Sequence, residues 1–517
     1  MQESMSRLPR ICGLRRMGLV LTLAFVMFTT FVLRPRYALF DQDFGISSLS
    51  TPPSNRTIVI EDDMAMPAWP VQVADTGVLA RQSLYTRSMF TPDATAHNHF
   101  IPISAIITRL STDPRAIHHI VKHLIKYPFI KEIIVDDPFD NIDMQLFQDL
   151  NFNGSTSKTD DDVAFHIVHN DNRFTTCASN TTYHSCYFQD DSALNLFVDT
   201  LYTNYKRHPH LLHANVRASR YLDHQKWRFQ NNNGTVDLHT GYADIRYGAM
   251  VPRSAAEAFV QHDSANDHAE IRFAISMNEY PWVLANSLLT LGREPRPDRG
   301  YNNRLRMQEI MYDTLRQLED RHHEATQVEP PVTERDARAS CGNDQCIFTT
   351  SMSPIPDNPT WVGKRFSTQD ITSIRQWETL YHDMDIPMQQ PWLSHAFHYA
   401  VDQDATTCWN SYHYPQIGDY VGLDMVGTMK AKRVILDLGR KLQDSNDLFT
   451  VSVAKEPSHW VSCKISKLEE YDTSRRVAIR IHECPGVQDW SSIRITFTRD
   501  QREPLELCGI TIDNMVV

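Results

Sequence analysis

The stretch Cys186–Asn195 reads Cys-Tyr-Phe-Gln-Asp-Asp-Ser-Ala-Leu-Asn and sets two adjacent carboxylates, Asp190 and Asp191, where an apolar run ends. Such a pair suits a hard divalent cation, Mn2+ or Mg2+, which commonly completes its shell with phosphate oxygens. A cation there would offset the charge that grows on a departing diphosphate as a sugar's anomeric bond breaks, which points to a nucleotide-sugar site. The same residues also suit a helix cap, with Ser192 as N-cap and the preceding acids favoured by the helix dipole. Asp136 and Asp137 end a second apolar run, where a carboxylate would meet the ribose or base of a nucleoside or would simply be solvated. Asp267 and Glu270, spaced i, i+3, can face one point. A carboxylate there would deprotonate an acceptor hydroxyl or steady positive charge on the sugar, unless the two only form an acidic first turn. His239 and Asp244 are candidates for acceptor or phosphate contacts, and Arg109 for nucleotide phosphate. A structural histidine and an exposed arginine are the plainer alternatives. No Gly-x-Ser-x-Gly elbow, His-Glu-x-x-His box or Walker-type loop occurs.

The elements that would position these residues alternate. Ile101–Thr108 has a strand pattern, and a helix follows with Ile117, Ile120, Val121, Leu124 and Ile125 on one face and Asp113-Pro114 at its start. Lys131–Asp137 is the next strand, which makes a βαβ unit with parallel strands and a right-handed crossover. Val163–Val168 is a further strand before the Cys186–Asn195 stretch. Leu194, Phe197, Val198, Leu201, Tyr202 and Tyr205 then recur at helical spacing and predict a helix over 193–206. The expectation is a twisted, mostly parallel sheet covered by helices, with the ligand at the carboxyl ends of its strands. His239–Pro252 mixes glycines with short apolar segments, and Asp267–Met277 is a helix with an acidic start.

The flanking segments set a topology. The chain has 517 residues, 51 basic and 63 acidic, for a formal charge of −12, which argues against nucleic acid as a partner. Met17–Leu33 carries no charge and is preceded by Arg7, Arg10, Arg15 and Arg16. This predicts a short signal-anchor helix, with residues 1–16 in the cytosol and the rest in the lumen. The flank lacks a small-x-small cleavage site, and a short span fits the thinner membranes of the early secretory pathway, the Golgi or ER. Glycosylation triplets begin at Asn55, Asn153, Asn180 and Asn233. Eight of the nine cysteines follow the span, and Cys177/Cys186 and Cys341/Cys346 are the local pairs that proximity suggests. Residues 34–98 read as a stem, 99–292 as the α/β domain, and 293–360 as a Pro-rich connector with a helix at Leu305–Leu318. Residues 361–517 carry many short alternating strands and read as a β-sandwich, with Trp392, Trp409, Tyr412 and Tyr414 as exposed aromatic candidates for a binding face.

Several of these pieces resemble known families. Ile103–Thr108, Lys131–Asp137, Tyr187–Ser192, His239–Met250 and Asp267–Met277 followed by Pro281 resemble the nucleotide-diphospho-sugar transferase fold called GT-A, most nearly its exostosin-like branch and fungal relatives. The resemblance implies an Asp-x-Asp metal motif at Asp190 and Asp191, usually with Mn2+, whose third position falls on Ser192. It also implies a catalytic carboxylate at Asp267 or Glu270. Residues 375–517 look like a discoidin-type, coagulation-factor C-like galactose-binding jelly roll, on Ala400–Ser411, Gly418–Asp424 and the strands ending at Cys508. The expected protein is a membrane-anchored luminal glycosyltransferase that uses a UDP- or GDP-linked sugar and a glycan or glycoprotein acceptor. The contrary expectation is a non-catalytic glycan-binding or scaffold protein with a degenerate transferase domain.

Overall fold

Seven short apolar runs assemble into one sheet in the computed structural model of the chain. It describes Phe90 and residues 100–150, 163–169, 172–231, 238–262, 268–291, 301–322, 335–353, 392–442, 448–456, 459–466, 469–470 and 475–513. The expected cytosolic tail, the anchor at 17–33, nearly all of the stem and Asp267 lie outside the described residues, as do Asn55, Asn153 and Asn233. Among the described residues no helix is long and apolar enough to cross a membrane.

The strands are β1 (Ile103–Thr108), β2 (Ile130–Asp136), β3 (Ala164–Val168), β4 (Ser185–Asp190), β5 (His213–Arg217), β6 (Ala249–Pro252) and β7 (Trp282–Asn286). Their order is β7-β5-β6-β4-β1-β2-β3. Every neighbouring pair is parallel except those of β6, which runs against both β4 and β5. The sheet is therefore mostly parallel, with one reversed strand. Gly248 precedes β6 at φ +114°, and a Cβ there would fall 2.2 Å from Asn195 Nδ2. Only glycine meets both demands.

Alternation along β1 explains the two layers of core. Ala105 and Ile107 pack against Ile117, Ile120, Val121 and Leu124 of α1 (Arg115–Leu124), the face its spacing predicts. Ile106 faces the other layer, with Phe174 of α2 (Arg173–Asn180), Phe188, and Phe273. The helix expected over 193–206 starts later, as α3 (Val198–Arg207). Ala193–Leu194 instead pairs with Leu289–Thr290, and the Asn195 side chain accepts from Phe197 N at 3.0 Å. Ser192 is therefore not its N-cap. Further on come α4 (Tyr221–Lys226), α5 (Arg253–His262), α6 (Ala269–Ser276) and α7 (Tyr301–His322). Ile310, Met311 and Leu315 of α7 pack against Ile271 and Ile275 of α6.

The second half is two packed antiparallel sheets, as expected of a sandwich. It begins earlier than the sequence suggests, because β8 (Ala337–Ser340) and β9 (Cys346–Thr350) fall in the stretch read as connector. One sheet runs β8, β9, β10 (Tyr420–Met429), β14 (Trp490–Phe497), β12 (Phe449–Ala454) and Val461–Ser462. The other runs Trp409–Asn410, β15 (Glu506–Asp513), β11 (Arg433–Leu438), β13 (Arg476–Glu483) and Lys464–Ile465. Four disulfides join Cys177 to Cys186, Cys341 to Cys346, Cys408 to Cys508 and Cys463 to Cys484, so both local pairs form.

The sandwich is bolted to the α/β part by polar and aromatic contacts. Asp344, in the Cys341–Cys346 loop, accepts from the backbone of Asp199 (2.8 Å) and Thr200 (2.9 Å) and so caps α3 from a distant part of the chain. Arg207 donates to Asp424 at 2.6 Å. Trp392 Nε1 donates to Ala218 O at 2.6 Å while its ring stacks on Tyr221 at 5.2 Å. Trp392 and Trp409 are fully buried and Tyr412 is buried, so three of the four aromatics expected on an exposed face are core residues; Tyr414 alone of the four is exposed, at 49%. Trp392→Ala should cost about 3–5 kcal/mol of stability in urea unfolding. Tyr414→Ala should stay within about 0.5 kcal/mol of wild type. Equal effects would contradict this placement.

Candidate active site

The chain reverses direction across the sheet between β1 and β4, and ligands of open α/β sheets bind outside the carboxyl ends at such a reversal. Thr108, the last residue of β1, is in register with Asp136 on one side and Asp190 on the other, which puts the three side chains on one face. Asp190 N donates to Arg246 O at 2.8 Å, which draws the loop before β6 to the same point. Arg173 arrives from the first position of α2, where Asn172 is the N-cap, accepting from Phe174 N at 2.9 Å.

The centre of the edge is a buried ion pair. Arg173 Nη2 lies 2.6 Å from Asp190 Oδ1 and 3.5 Å from Oε1 of Glu270, which sits in the first turn of α6. Asp190 is 1% and Arg173 6% exposed, whereas the Glu270 side chain is 35% exposed and forms the open side. Burial pushes the Asp190 carboxyl up to about 6, outweighing the attraction of Arg173. The Asp190 and Glu270 charges raise the Arg173 guanidinium against the effect of burial, so it stays charged. Asp190 Oδ2, Arg173 Nη1 and Thr108 Oγ1 are buried without a hydrogen-bond partner. Three orphaned polar atoms around one point are a place for a polar guest.

The other expected residues divide into two groups. Asp244 is in the site, its carboxylate clasped by Arg246 Nε at 2.8 Å and Nη2 at 2.6 Å. Burial raises the Asp244 carboxyl, but Arg246 more than reverses that and holds it below the usual range. The Tyr247 ring lies 5.5 Å from the Arg246 guanidinium and 5.0 Å from that of Arg217. Asp137 accepts from the backbone N–H of Phe139, Asn141 and Ile142, each at 3.1 Å, and from Arg109 Nη1 at 2.9 Å. Arg109 also donates to Ser111 O at 2.7 Å and to Thr112 O and Asn141 Oδ1. Both side chains are committed to the loops after β1 and β2, so the expected contacts of Arg109 with phosphate and Asp137 with nucleoside are replaced by a structural lock. Asp136 is 1% exposed, not at a solvated strand end. His239 is buried beside Glu279 (3.3 Å), its backbone bonded to Asn278 and its ring packed near Tyr280. These partners belong to the segment after α6, apart from the Asp190 group.

A divalent cation does not fit Asp190 and Asp191 as they stand. One Asp190 oxygen faces a guanidinium, while both Asp191 oxygens accept backbone N–H groups, from Leu110 at 3.1 Å and Ser111 at 2.9 Å. The third position carries the neutral hydroxyl of Ser192, and among the described residues no three His, Cys, Asp or Glu side chains are grouped to hold a metal. Sequence reasoning missed Arg173, Arg246, Arg217 and Tyr247. Asp244-Ile-Arg246 carried a signal, acid and base at i, i+2 beside glycines, but Arg173 follows an uninformative polar stretch.

No protein-family model matches the chain, and no curated protein matches it. Among solved structures, the module CpGH89CBM32-5 from Clostridium perfringens, in complex with GalNAc-β-1,3-galactose, is 8% identical at a TM-score of 0.19 and spans 22% of this chain and 81% of its own. A putative chitobiase fragment from Bacteroides thetaiotaomicron is 12% identical at 0.20, spanning 27% and 83%. The family 32 CBM of C. perfringens NanJ, in complex with galactose, is 11% identical at 0.19, spanning 23% and 85%. Likeness at these scores is too slight to carry the fold, which rests on the strand order above.

The Asp190 environment has a consequence for stability. Its folded-state carboxyl titrates near 6 against an ordinary 3.8, so its contribution is complete below the ordinary value and is lost as pH rises through the folded one. Between pH 4 and 7 wild type should lose about 2 kcal/mol more than Asp190→Asn in denaturant unfolding. Parallel pH profiles for the two proteins would contradict the assignment.

Proposed function

We propose that the chain is a glycosyltransferase that moves a sugar from a nucleotide-sugar donor to a glycan or glycoprotein acceptor at the carboxyl edge of the seven-stranded sheet. The observation that carries this reading is the set of orphaned atoms at the reversal point. Asp190 Oδ2 offers an acceptor, Arg173 Nη1 a donor and Thr108 Oγ1 either, all buried and within one cluster. Such a set is complementary to neighbouring hydroxyls of a sugar, each of which donates and accepts. The exposed side chains of Leu110 and Phe139, on the loops after β1 and β2, offer apolar surface for a nucleoside base on the same edge.

In the transfer, the acceptor oxygen bonds to the anomeric carbon while that carbon's bond to the diphosphate oxygen breaks, and the electron pair leaves with the diphosphate. Glu270, the partly exposed carboxylate of the cluster, is the group placed to receive the acceptor's proton. The Arg173–Asp190 pair holds the sugar, and its burial strengthens each hydrogen bond by excluding water. The sandwich is a glycan-binding part on this reading, with Tyr414 and Ile417 as its exposed apolar side chains. The anchor expected at 17–33 would place the protein as a type II membrane protein of the Golgi or ER, and disulfides are compatible with that lumen.

A second reading is glycan binding without catalysis, favoured by the poor fit of a cation to Asp190 and Asp191. The two separate in a donor-hydrolysis and transfer screen over UDP- and GDP-sugars. Turnover should appear with at least one donor and fall by about 100-fold or more in Glu270→Gln, the size of a lost general base. Glycan binding with no turnover for any donor would favour the second reading.

A further inference from the structure

We infer that this site, read as a sugar-nucleotide site as above, works without a divalent metal and carries its own cations as arginines. Four aspartates at the edge already hold guanidinium or backbone amide partners. Asp190 pairs with Arg173 at 2.6 Å, Asp244 with Arg246 at 2.6 Å and Asp137 with Arg109 at 2.9 Å, while Asp191 is held by two backbone N–H groups. A dication entering here meets the fixed positive charge of Arg173 2.6 Å from Asp190 and an Asp191 carboxylate whose two oxygens already accept backbone N–H groups. To take both Asp190 oxygens it would also have to part Arg173 from a buried pair, leaving that guanidinium only the 3.5 Å contact with Glu270, an unfavourable step.

The oxygens of a diphosphate are met instead by the hydrogen-bond donors of Arg246. Its side chain is 39% exposed, and Asp244 engages Nε and Nη2, which leaves Nη1 to face a ligand. Asp244 and the Tyr247 ring fix the plane of the guanidinium, and Arg217 lies over the same ring. A guanidinium held in this way is pre-organised for phosphate oxygens. Its backbone carbonyl accepts from Asp190 N, so the phosphate-facing group and the sugar-facing pair are joined directly.

The test is calorimetric binding of UDP and of GDP to the full-length chain, in EDTA and in excess Mn2+. The expected result is binding in EDTA, with a Kd that differs from the Mn2+ value by less than about twofold, well under the factor of ten that 1.4 kcal/mol represents. Binding that tightens about tenfold or more in Mn2+ would overturn the inference and leave the transferase reading standing. Binding of neither nucleotide in either buffer would overturn both. Arg246→Gln should weaken nucleotide binding about tenfold in both buffers, with Arg246→Lys in between. Unchanged affinity in a folded Arg246→Gln protein would overturn the part assigned to Arg246.

Discussion

The structure turns on a charge pair taken out of water. Moving an aspartate and an arginine into an interior costs several kcal/mol for each ion, and their attraction repays this only with good geometry and satisfied neighbours. At Asp190 and Arg173 the geometry is good and the neighbours are incomplete. One oxygen and one nitrogen remain open, and a third open atom, Thr108 Oγ1, stands beside them. A fold that carries this cost at the reversal point of its sheet is holding polar groups ready for a guest. Three elements serve that end. The last residue of β4 supplies the acid, the capped start of α2 supplies the base, and the reversed strand β6 brings Arg246 alongside.

The sandwich completes the α/β part rather than hanging from it. A chain of buried hydrogen bonds runs from Gln189 and Tyr187, next to Asp190, through Asn195, Asn215, Asn286 and Ser340 to Thr200 and Asp344. It begins in β4 and ends in the loop closed by Cys341 and Cys346. Burial pushes the Asp344 carboxyl well up, with the nearby Asp199 charge adding to it, while the Thr200 bonds pull the other way. Buried networks of this kind fix one arrangement strongly because any half-satisfied alternative is costly.

Periodicity made much of the fold legible. The strands at β1, β2, β3 and β11 and the apolar face of α1 follow the spacing of their residues, because burial on one or both faces leaves a regular mark. The edge of the sandwich was not legible: β8 and β9 lie in a segment whose prolines suggested a linker, and β10, the strand that β9 pairs with, is some seventy residues away. Trp392, Trp409 and Tyr412 show a related limit, since an aromatic that fills an interface and one that binds a sugar have the same composition signal. In the site, Asp190, Asp244 and Glu270 were legible as carboxylates in suitable places. Arg173 was not, because an ion pair between residues seventeen positions apart has no local pattern, whereas Arg246 stands two residues from Asp244 and left a trace in the sequence. The metal expectation did not anticipate either, as it weighed the acids without their cations.

The most direct test of the central claim is a crystal structure of the chain with an intact nucleotide sugar bound. The account predicts sugar hydroxyls within hydrogen-bond distance of Asp190 Oδ2 and Arg173 Nη1, with the 2.6 Å pair retained beneath them. A ligand seated elsewhere, or a cation lodged between Asp190 and Asp191 with Arg173 turned away, would contradict it.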